Sequence, residues 1–213
     1  MSRLRVTEIF FSLQGETKTV GLPTVFIRLT GCPLRCQYCD TAYAFQGGTG
    51  MSIEDILSQV KTYGARYVTV TGGEPLAQKP CIELLQCLCD EGYQVSLETS
   101  GALDVACVDS RVVKVIDIKT PGSGEVEKNL WLNLEYILPH DQIKFVICDQ
   151  NDYFWSKKIV KKYDLTKKCD ILFSPSYTEQ KPGELADWII EDRLPVRLQV
   201  QLHKYLWGDV PGR

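Results

Sequence analysis

The stretch GCPLRCQYCD, residues 31–40, sets three cysteines within eight positions, as Cys32-x3-Cys36-x2-Cys39. Three thiols on one loop are too few for a closed tetrahedral zinc site and odd for a disulfide framework. They suit a 4Fe-4S cube held at three irons, with the fourth iron left for a small molecule to chelate. Pro33 has no backbone N–H and restricts the loop that must wrap the cube. The rival is a zinc site with a distant fourth ligand; against it, there is no second CxxC pair, and His140 and His203 are isolated.

Working outward, apolar β-branched runs alternate with helical patterns. TVFIRLT (24–30), YVTVT (67–71), VSLET (95–99), VKVIDI (113–118), IKFVI (143–147) and ILFS (171–174) read as strands. SIEDILSQVKTYG has Ser52 at the N-cap, Asp55 three residues on, Ile53, Ile56, Leu57 and Val60 on one face, and Gly64 as its stop. CIELLQCLCDEG repeats the pattern, and NDYFWSKKIVKKY and PGELADWIIED supply later helices. Residues 119–140 are rich in Gly and Asn and predict no full crossover helix. Six strands separated by helices imply parallel pairing through right-handed crossovers. Nearly every strand runs out into a polar signature: GCPLRC, TGGEP, ETSG, DIKTPGSG, QIKF, SPSY. An α/β fold is expected, either an open doubly wound sheet or a barrel, complete or partial; sites of β/α barrels are assembled from such C-terminal strand exits, which favours the barrel type.

Bulk properties narrow the function classes. The 213 residues carry a net charge of -3, with no basic stripe of the kind nucleic acid requires. No segment approaches the roughly 20 apolar residues of a membrane span. MSRLRVTEIFF lacks a signal-peptide core and cleavage site, so a cytoplasmic protein with reduced thiols is expected. Six of the nine cysteines (Cys81, Cys87, Cys89, Cys107, Cys148, Cys169) lie among apolar residues and read as small core hydrophobes. No repeat, low-complexity tract or linker divides the chain. One domain over 1–213 is expected, with a core at about 22–177 and extensions at 1–21 and 195–213 that close over the site.

Cys32-x3-Cys36-x2-Cys39, with Tyr38 before the last cysteine, resembles the signature of the radical S-adenosylmethionine superfamily. Gly72-Gly73-Glu74-Pro75 resembles that superfamily's GGEP motif after the second strand. IFFSLQGET, FIRLTGCPLRCQYCDT, VTGGEP, ETSG, IKFV, SPSY and QLHKYL together resemble the 7-carboxy-7-deazaguanine synthase family over nearly the whole chain. SLQGE and CDT are the most specific of these. The resemblance implies a partial barrel with reduced helix content, a homodimer and a magnesium ion (Mg2+) beside the cluster. It also implies rearrangement of 6-carboxy-5,6,7,8-tetrahydropterin to 7-carboxy-7-deazaguanine with loss of ammonia, using electrons from a flavodoxin- or ferredoxin-type donor.

Residue by residue, the resemblance implies cluster binding by Cys32, Cys36 and Cys39. Tyr38, Cys39, Asp40, Gly72, Gly73, Glu74 and Gly101 would meet S-adenosylmethionine. Gln142, Ile143 and Lys144 would line its nucleoside, and Ser174, Pro175, Ser176 and Tyr177 its adenine side. Leu13, Gln14, Gly15, Glu16, Arg28, Thr99 and His203 would bind the pterin. Thr41 would hold magnesium together with the substrate carboxylate. Alternation in TVFIRLT puts Phe26, Arg28 and Thr30 on one face, and a lumenal arginine needs a partner. That partner is either an internal acid, Glu98 or Glu16, or a substrate carboxylate that suits the planar guanidinium fork. Two rival functions stand beside this reading: a glycyl-radical activase acting on a polypeptide, and a non-catalytic iron–sulfur or zinc protein.

Overall fold

Residues 2–208, 210 and 212 are described by the structure, a computed structural model. In chain order the elements are β1 (Arg3–Leu13), β2 (Pro23–Leu29), β3 (Thr49–Ser52), α1 (Ile53–Thr62), β4 (Tyr67–Gly72), α2 (Cys81–Asp90) and β5 (Gln94–Thr99). Then come β6 (Val113–Asp117), β7 (Gln142–Ile147), α3 (Gln150–Lys162), β8 (Asp170–Pro175), α4 (Pro182–Glu191), β9 (Arg197–Leu198) and α5 (Leu202–Trp207). All strands join one nine-stranded sheet in the order β3-β1-β2-β4-β5-β6-β7-β8-β9.

The six strands expected from the sequence, β2 and β4 to β8, lie side by side and parallel. α1 starts with a full capping box between Ser52 and Asp55 and buries Ile53, Ile56 and Val60. α2 buries Cys81, Leu84, Leu85 and Leu88, the i, i+3, i+4, i+7 stripe of a helix packed on a sheet. Val25, Ile27 and Leu29 of β2 and Val68 and Val70 of β4 point into the same outer core. Between β6 and β7 only short 3-10 turns occur, at Pro121–Ser123, Val126–Lys128 and Trp131–Glu135. The barrel is thus partial and poor in helix. Among the described residues, no helix is long and apolar enough to cross a membrane.

Two features differ from expectation. Residues 3–13, assigned to an N-terminal extension, form β1, which pairs antiparallel with β2 and β3. A β-bulge between Val6 and Glu8 hides this strand in the sequence. Leu4 and Val6 face the outer core, but after the bulge Ile9 takes that side and Glu8 and Phe10 turn to the lumen. The alternation that marks a strand therefore changes phase midway. Cys107, read as a core hydrophobe, is exposed, in the helix-free connection before β6.

The sheet does not close on itself, and segments from both termini bridge its open side. Leu202 N–H donates to Gly15 O at 2.9 Å, just after β9 and β1 respectively. Lys18 reaches Asp170 at the start of β8, at 3.3 Å.

At the entry end of β6, Lys114 and Asp141 form a buried ion pair at 2.8 Å, with side chains 3% and 0% exposed. Asp141 also accepts the backbone N–H groups of Lys114 and Leu138. Removing one member strands the other charge, so Asp141→Asn should destabilise the fold by about 3–5 kcal/mol. The double substitution Lys114→Met, Asp141→Leu should recover much of that loss. Urea unfolding is the measurement; an unchanged midpoint for Asp141→Asn would show that the pair contributes nothing.

Candidate active site

A cleft of about 560 Å³ opens over the C-terminal ends of the parallel strands. Cys32, Cys36 and Cys39 all face it. Burial pushes the Cys32 and Cys36 thiols up, and Lys119 pulls both down. Among the described residues, no three His, Cys, Asp or Glu groups converge as a single-ion site. A cube does not ask for convergence, because each thiolate binds a different corner. Three separate thiols at one mouth, with a cation beside them, fit that donor set.

The cysteine loop is pinned to the next strand's exit. Glu74 N–H donates to Gly31 O at 2.7 Å, and a Cβ on Gly73 would collide with that carbonyl. The Glu74 carboxylate is fully buried and accepts from Thr99 Oγ1 at 2.9 and 3.0 Å, Ser100 N–H at 2.7 Å and Leu76 N–H at 3.0 Å. It therefore lies behind the cleft wall, its oxygens already occupied, whereas the sequence reading put it against the ligand. Gly101, with φ 72°, is buried against Ile116 and also misses the cleft. Gln142 and Ile143 begin β7 at the far end of the lumen, and both are buried. Of that trio, Lys144 alone lines the cleft. Tyr38, Asp40, Gly72, Gly73 and Ser174 to Tyr177 line it as expected, as do Leu13, Gln14, Gly15, Glu16, Arg28, Thr41, Thr99 and His203.

Ionisable groups crowd the lumen. Lys144 Nζ lies 2.8 Å from Glu16 and 3.9 Å from Asp117, and Lys119 lies 3.1 Å from Asp117. Burial alone raises the Glu16 carboxyl, but Lys144 and Gln201 more than offset it and hold it below the ordinary range. Glu98 goes the other way: burial, then the charge of Glu16, push its carboxyl up. Lys119 and Lys144, despite burial, are held protonated by Asp117 and Glu16. Asp117 Oδ1 and the Tyr38 hydroxyl are buried on the cleft wall with no hydrogen-bond partner among the described residues. Orphaned polar atoms facing a cleft suit a ligand that carries charge. Asp117, Lys119 and Tyr43 were not singled out from the sequence; the polar exit DIKT was the only signal for the first two.

Gln14 spans the wall rather than reaching out. Its amide donates to Thr69 at 3.2 Å and Glu98 at 3.4 Å, and accepts Glu16 N–H at 3.1 Å. Gly15 admits His203, since a Cβ there would collide with the imidazole. Burial lowers His203, which is neutral at pH 7. Arg28 is lumenal, but its partner is neither Glu98 nor Glu16. Its Nε donates to Glu8 Oε1 at 2.7 Å across the strand pair. Thr41 Oγ1 donates to Asp40 at 2.8 Å, and Asp40 in turn binds Lys204 at 3.1 Å and Gln201 at 3.2 Å. Asp209, Pro211 and Arg213 of the expected closing tail lie outside the described residues.

Glu98 supplies a pH test. Its native pKa is raised above the ordinary 4.5, so its contribution to stability is full below that value and is lost as pH rises through the native one. Glu98→Gln is neutral throughout; Gln14 can still donate to the amide oxygen and the Thr71 hydroxyl can reverse. The variant should melt higher than wild type at pH 8, with the difference fading by pH 4. Equal melting temperatures at pH 8 would contradict the raised pKa.

Comparison with known proteins agrees with this geometry. The Radical SAM superfamily matches residues 26–116. The 7-carboxy-7-deazaguanine synthase of Chlorobaculum tepidum is 45% identical, covering 96% of this chain and 94% of that protein. Among solved structures, QueE from Escherichia coli superposes with a TM-score of 0.78 at 25% identity, covering 94% of this chain and 95% of that one. Streptococcus suis SuiB bound to S-adenosylmethionine shares the fold alone, with a TM-score of 0.59 at 17% identity, over 80% of this chain and 48% of that one. With whole-length identity at this level, a cluster-type cysteine loop and a partial barrel, the chain belongs to the 7-carboxy-7-deazaguanine synthase family of radical S-adenosylmethionine enzymes.

Proposed function

We propose that this chain converts 6-carboxy-5,6,7,8-tetrahydropterin to 7-carboxy-7-deazaguanine with loss of ammonia, a step of 7-deazapurine biosynthesis. The observation that carries the reading is one lumen that joins three cluster-type thiols at its mouth to a lumenal arginine and a paired Glu16 deeper in. The activase rival, which would act on a polypeptide, is set aside in favour of a site sized for a bicyclic ligand.

When bound, the cluster and S-adenosylmethionine supply hydrogen abstraction; the protein orients the partners and excludes water. Cys32, Cys36 and Cys39 hold three irons. Asp117 Oδ1 and Lys119 complement the ammonium and carboxylate of an amino acid, the reactive end of S-adenosylmethionine. Ser174 to Tyr177, at the exit of β8, suit its adenosyl part. For the pterin, Arg28 offers a guanidinium to the carboxylate, and Glu16, kept ionised by Lys144, accepts from ring N–H groups. Thr99 has its proton turned to Glu74, so it presents only lone pairs to the cleft. The same holds for Thr41, whose proton points to Asp40. A hydroxyl in that state is a ligand for magnesium shared with the substrate carboxylate, the hydrated and substrate-assisted coordination that Mg2+ favours. The C-terminal extension, anchored through Asp40, closes the lumen. A reducing, cytosolic compartment, a flavodoxin- or ferredoxin-type donor and a homodimer complete the proposal.

Cys32→Ala, Cys36→Ala and Cys39→Ala should each lose the cluster, while Cys87→Ala should keep full iron and sulfide content; a fully loaded Cys36→Ala protein would remove the loop from the cluster. Anaerobic reconstituted enzyme given the tetrahydropterin should release a new 7-deazapurine, faster with magnesium. Thr41→Val keeps shape but lacks the oxygen and should lose most of that stimulation. Absence of the deazapurine product from wild-type enzyme would sink the proposed reaction, and equal turnover of metal-stripped enzyme would sink the magnesium site.

A further inference from the structure

We infer that Glu8 is a positioning residue: through the Arg28 Nε it turns the Nη1–Nη2 edge of the guanidinium to the cleft and so dictates how a substrate carboxylate is held. The inference rests on the proposed reading of Arg28 as the carboxylate anchor.

Four observations converge on Glu8. The bulge at Val6–Glu8 is what brings this side chain to the lumen at all; on an unbroken strand it would share the outer face with Leu4 and Val6. Bulges recur beside functional sites because they re-aim a side chain in this way. Past the bulge, Glu8 stands directly opposite Arg28 in register, and its Oε1 lies 2.7 Å from Nε. The same oxygen accepts the Tyr43 hydroxyl at 2.9 Å. Burial lifts the Tyr43 phenol to about 12, so it stays a donor. Finally, the guanidinium carbon lies 5.9 Å from the Phe10 ring centroid and 5.8 Å from that of Tyr43, which restricts its tilt.

An arginine has two bidentate edges, one using Nε and one using the two terminal nitrogens. Glu8 takes the first. The second has a single long bond from Nη1 to Gly72 O, at 3.4 Å, and since Arg28 lines the cleft this is the edge left for a ligand. Glu8 itself is not part of the cleft lining, so its effect on a ligand passes through its two partners there, Arg28 and Tyr43, of which only Arg28 carries the charge a carboxylate seeks. A charge-balancing role makes a different forecast from a positioning role. Gln keeps an acceptor at Nε without the charge, Asp keeps the charge but falls short of Nε, and Leu keeps neither.

The experiment is anaerobic equilibrium binding to the cluster-loaded protein of two probes: 6-carboxy-5,6,7,8-tetrahydropterin and the tetrahydropterin lacking the carboxylate. Glu8→Gln should bind the carboxylated probe within about threefold of wild type. Glu8→Asp and Glu8→Leu should lose roughly ten- to a hundredfold for that probe, the range set by one charge-assisted hydrogen bond. Both should bind the other probe within about twofold of wild type, because nothing in that probe uses the Arg28 edge. Should Glu8→Leu fail to fold, the Gln and Asp pair still decides. Retained affinity in Asp with loss in Gln would make the role one of charge and overturn positioning. Parallel loss for both probes in Asp would make Glu8 a scaffold residue, and wild-type affinity in Asp and Leu would overturn any role. Wild-type protein that binds the two probes equally would remove the carboxylate from Arg28, and this inference with it.

Discussion

One backbone hydrogen bond, from Glu74 N–H to Gly31 O, holds the site together. It joins the exit of β2, where the cysteine loop starts, to the exit of β4, and Gly73 is the residue that allows so close an approach. The Glu74 side chain extends the same junction to β5 through Thr99 and Ser100. Three neighbouring strand ends are thereby locked around one buried carboxylate that takes four separate donors. Carboxylates so satisfied are rigid fixtures. A loop that must present three thiols in fixed relation to one another needs such a support, because its own sequence is irregular and offers no ladder.

The second constraint is charge. Glu16, Glu98, Asp117, Lys119 and Lys144 share one lumen in which their side chains are largely withdrawn from solvent, and there each unpaired charge is expensive. The arrangement resolves this by pairing Lys144 with Glu16 and Lys119 with Asp117, and by raising Glu98 toward its neutral form. The pairing is deliberately incomplete at one atom, Asp117 Oδ1, and that is where a cationic ligand group gains most. Arg28 is likewise paired, with Glu8 at 2.7 Å.

Much of this was legible in the residues. Period-two runs placed β2 and β4 to β8, and Ser52 with Asp55 placed the start of α1, because each rests on local chemistry. The cysteine spacing and the GGEP exit located the mouth of the cleft. What was hidden has identifiable causes. β1 was lost because the bulge at Val6–Glu8 breaks its alternation, and with it went the real partner of Arg28. Glu74 was expected to touch ligand, yet its carboxylate is buried within the wall; a sequence shows that a polar residue is present, not which neighbours occupy it first. Gln142 and Ile143 failed for a simpler reason, since they open a strand and the site lies at its other end.

The open sheet explains why both ends of the chain take part in the site. A closed barrel would seal the lumen without help, but here β3 and β9 are unpaired with each other, leaving one side of the lumen uncovered. The loop after β1 and the segment after β9 meet there: Gly15 O accepts Leu202 N–H, Glu16 accepts Gln201 Nε2 at 3.0 Å, and His203 occupies the space a Cβ at residue 15 would need. Gln201 also reaches Asp40, so the same short segment touches the loop after β1 and the cysteine loop after β2. Glu16, Asp40 and His203 are thus placed by a junction between sequence-distant segments rather than by any one element. Such a junction forms only after the sheet has brought its edges into place, since the loop-closure entropy between residues 15 and 202 is recovered only through the strands that lie between them. Glu16, Asp40 and His203 therefore depend on both edges of the sheet at once, and a change at either edge reaches all three through Gln201 and Gly15.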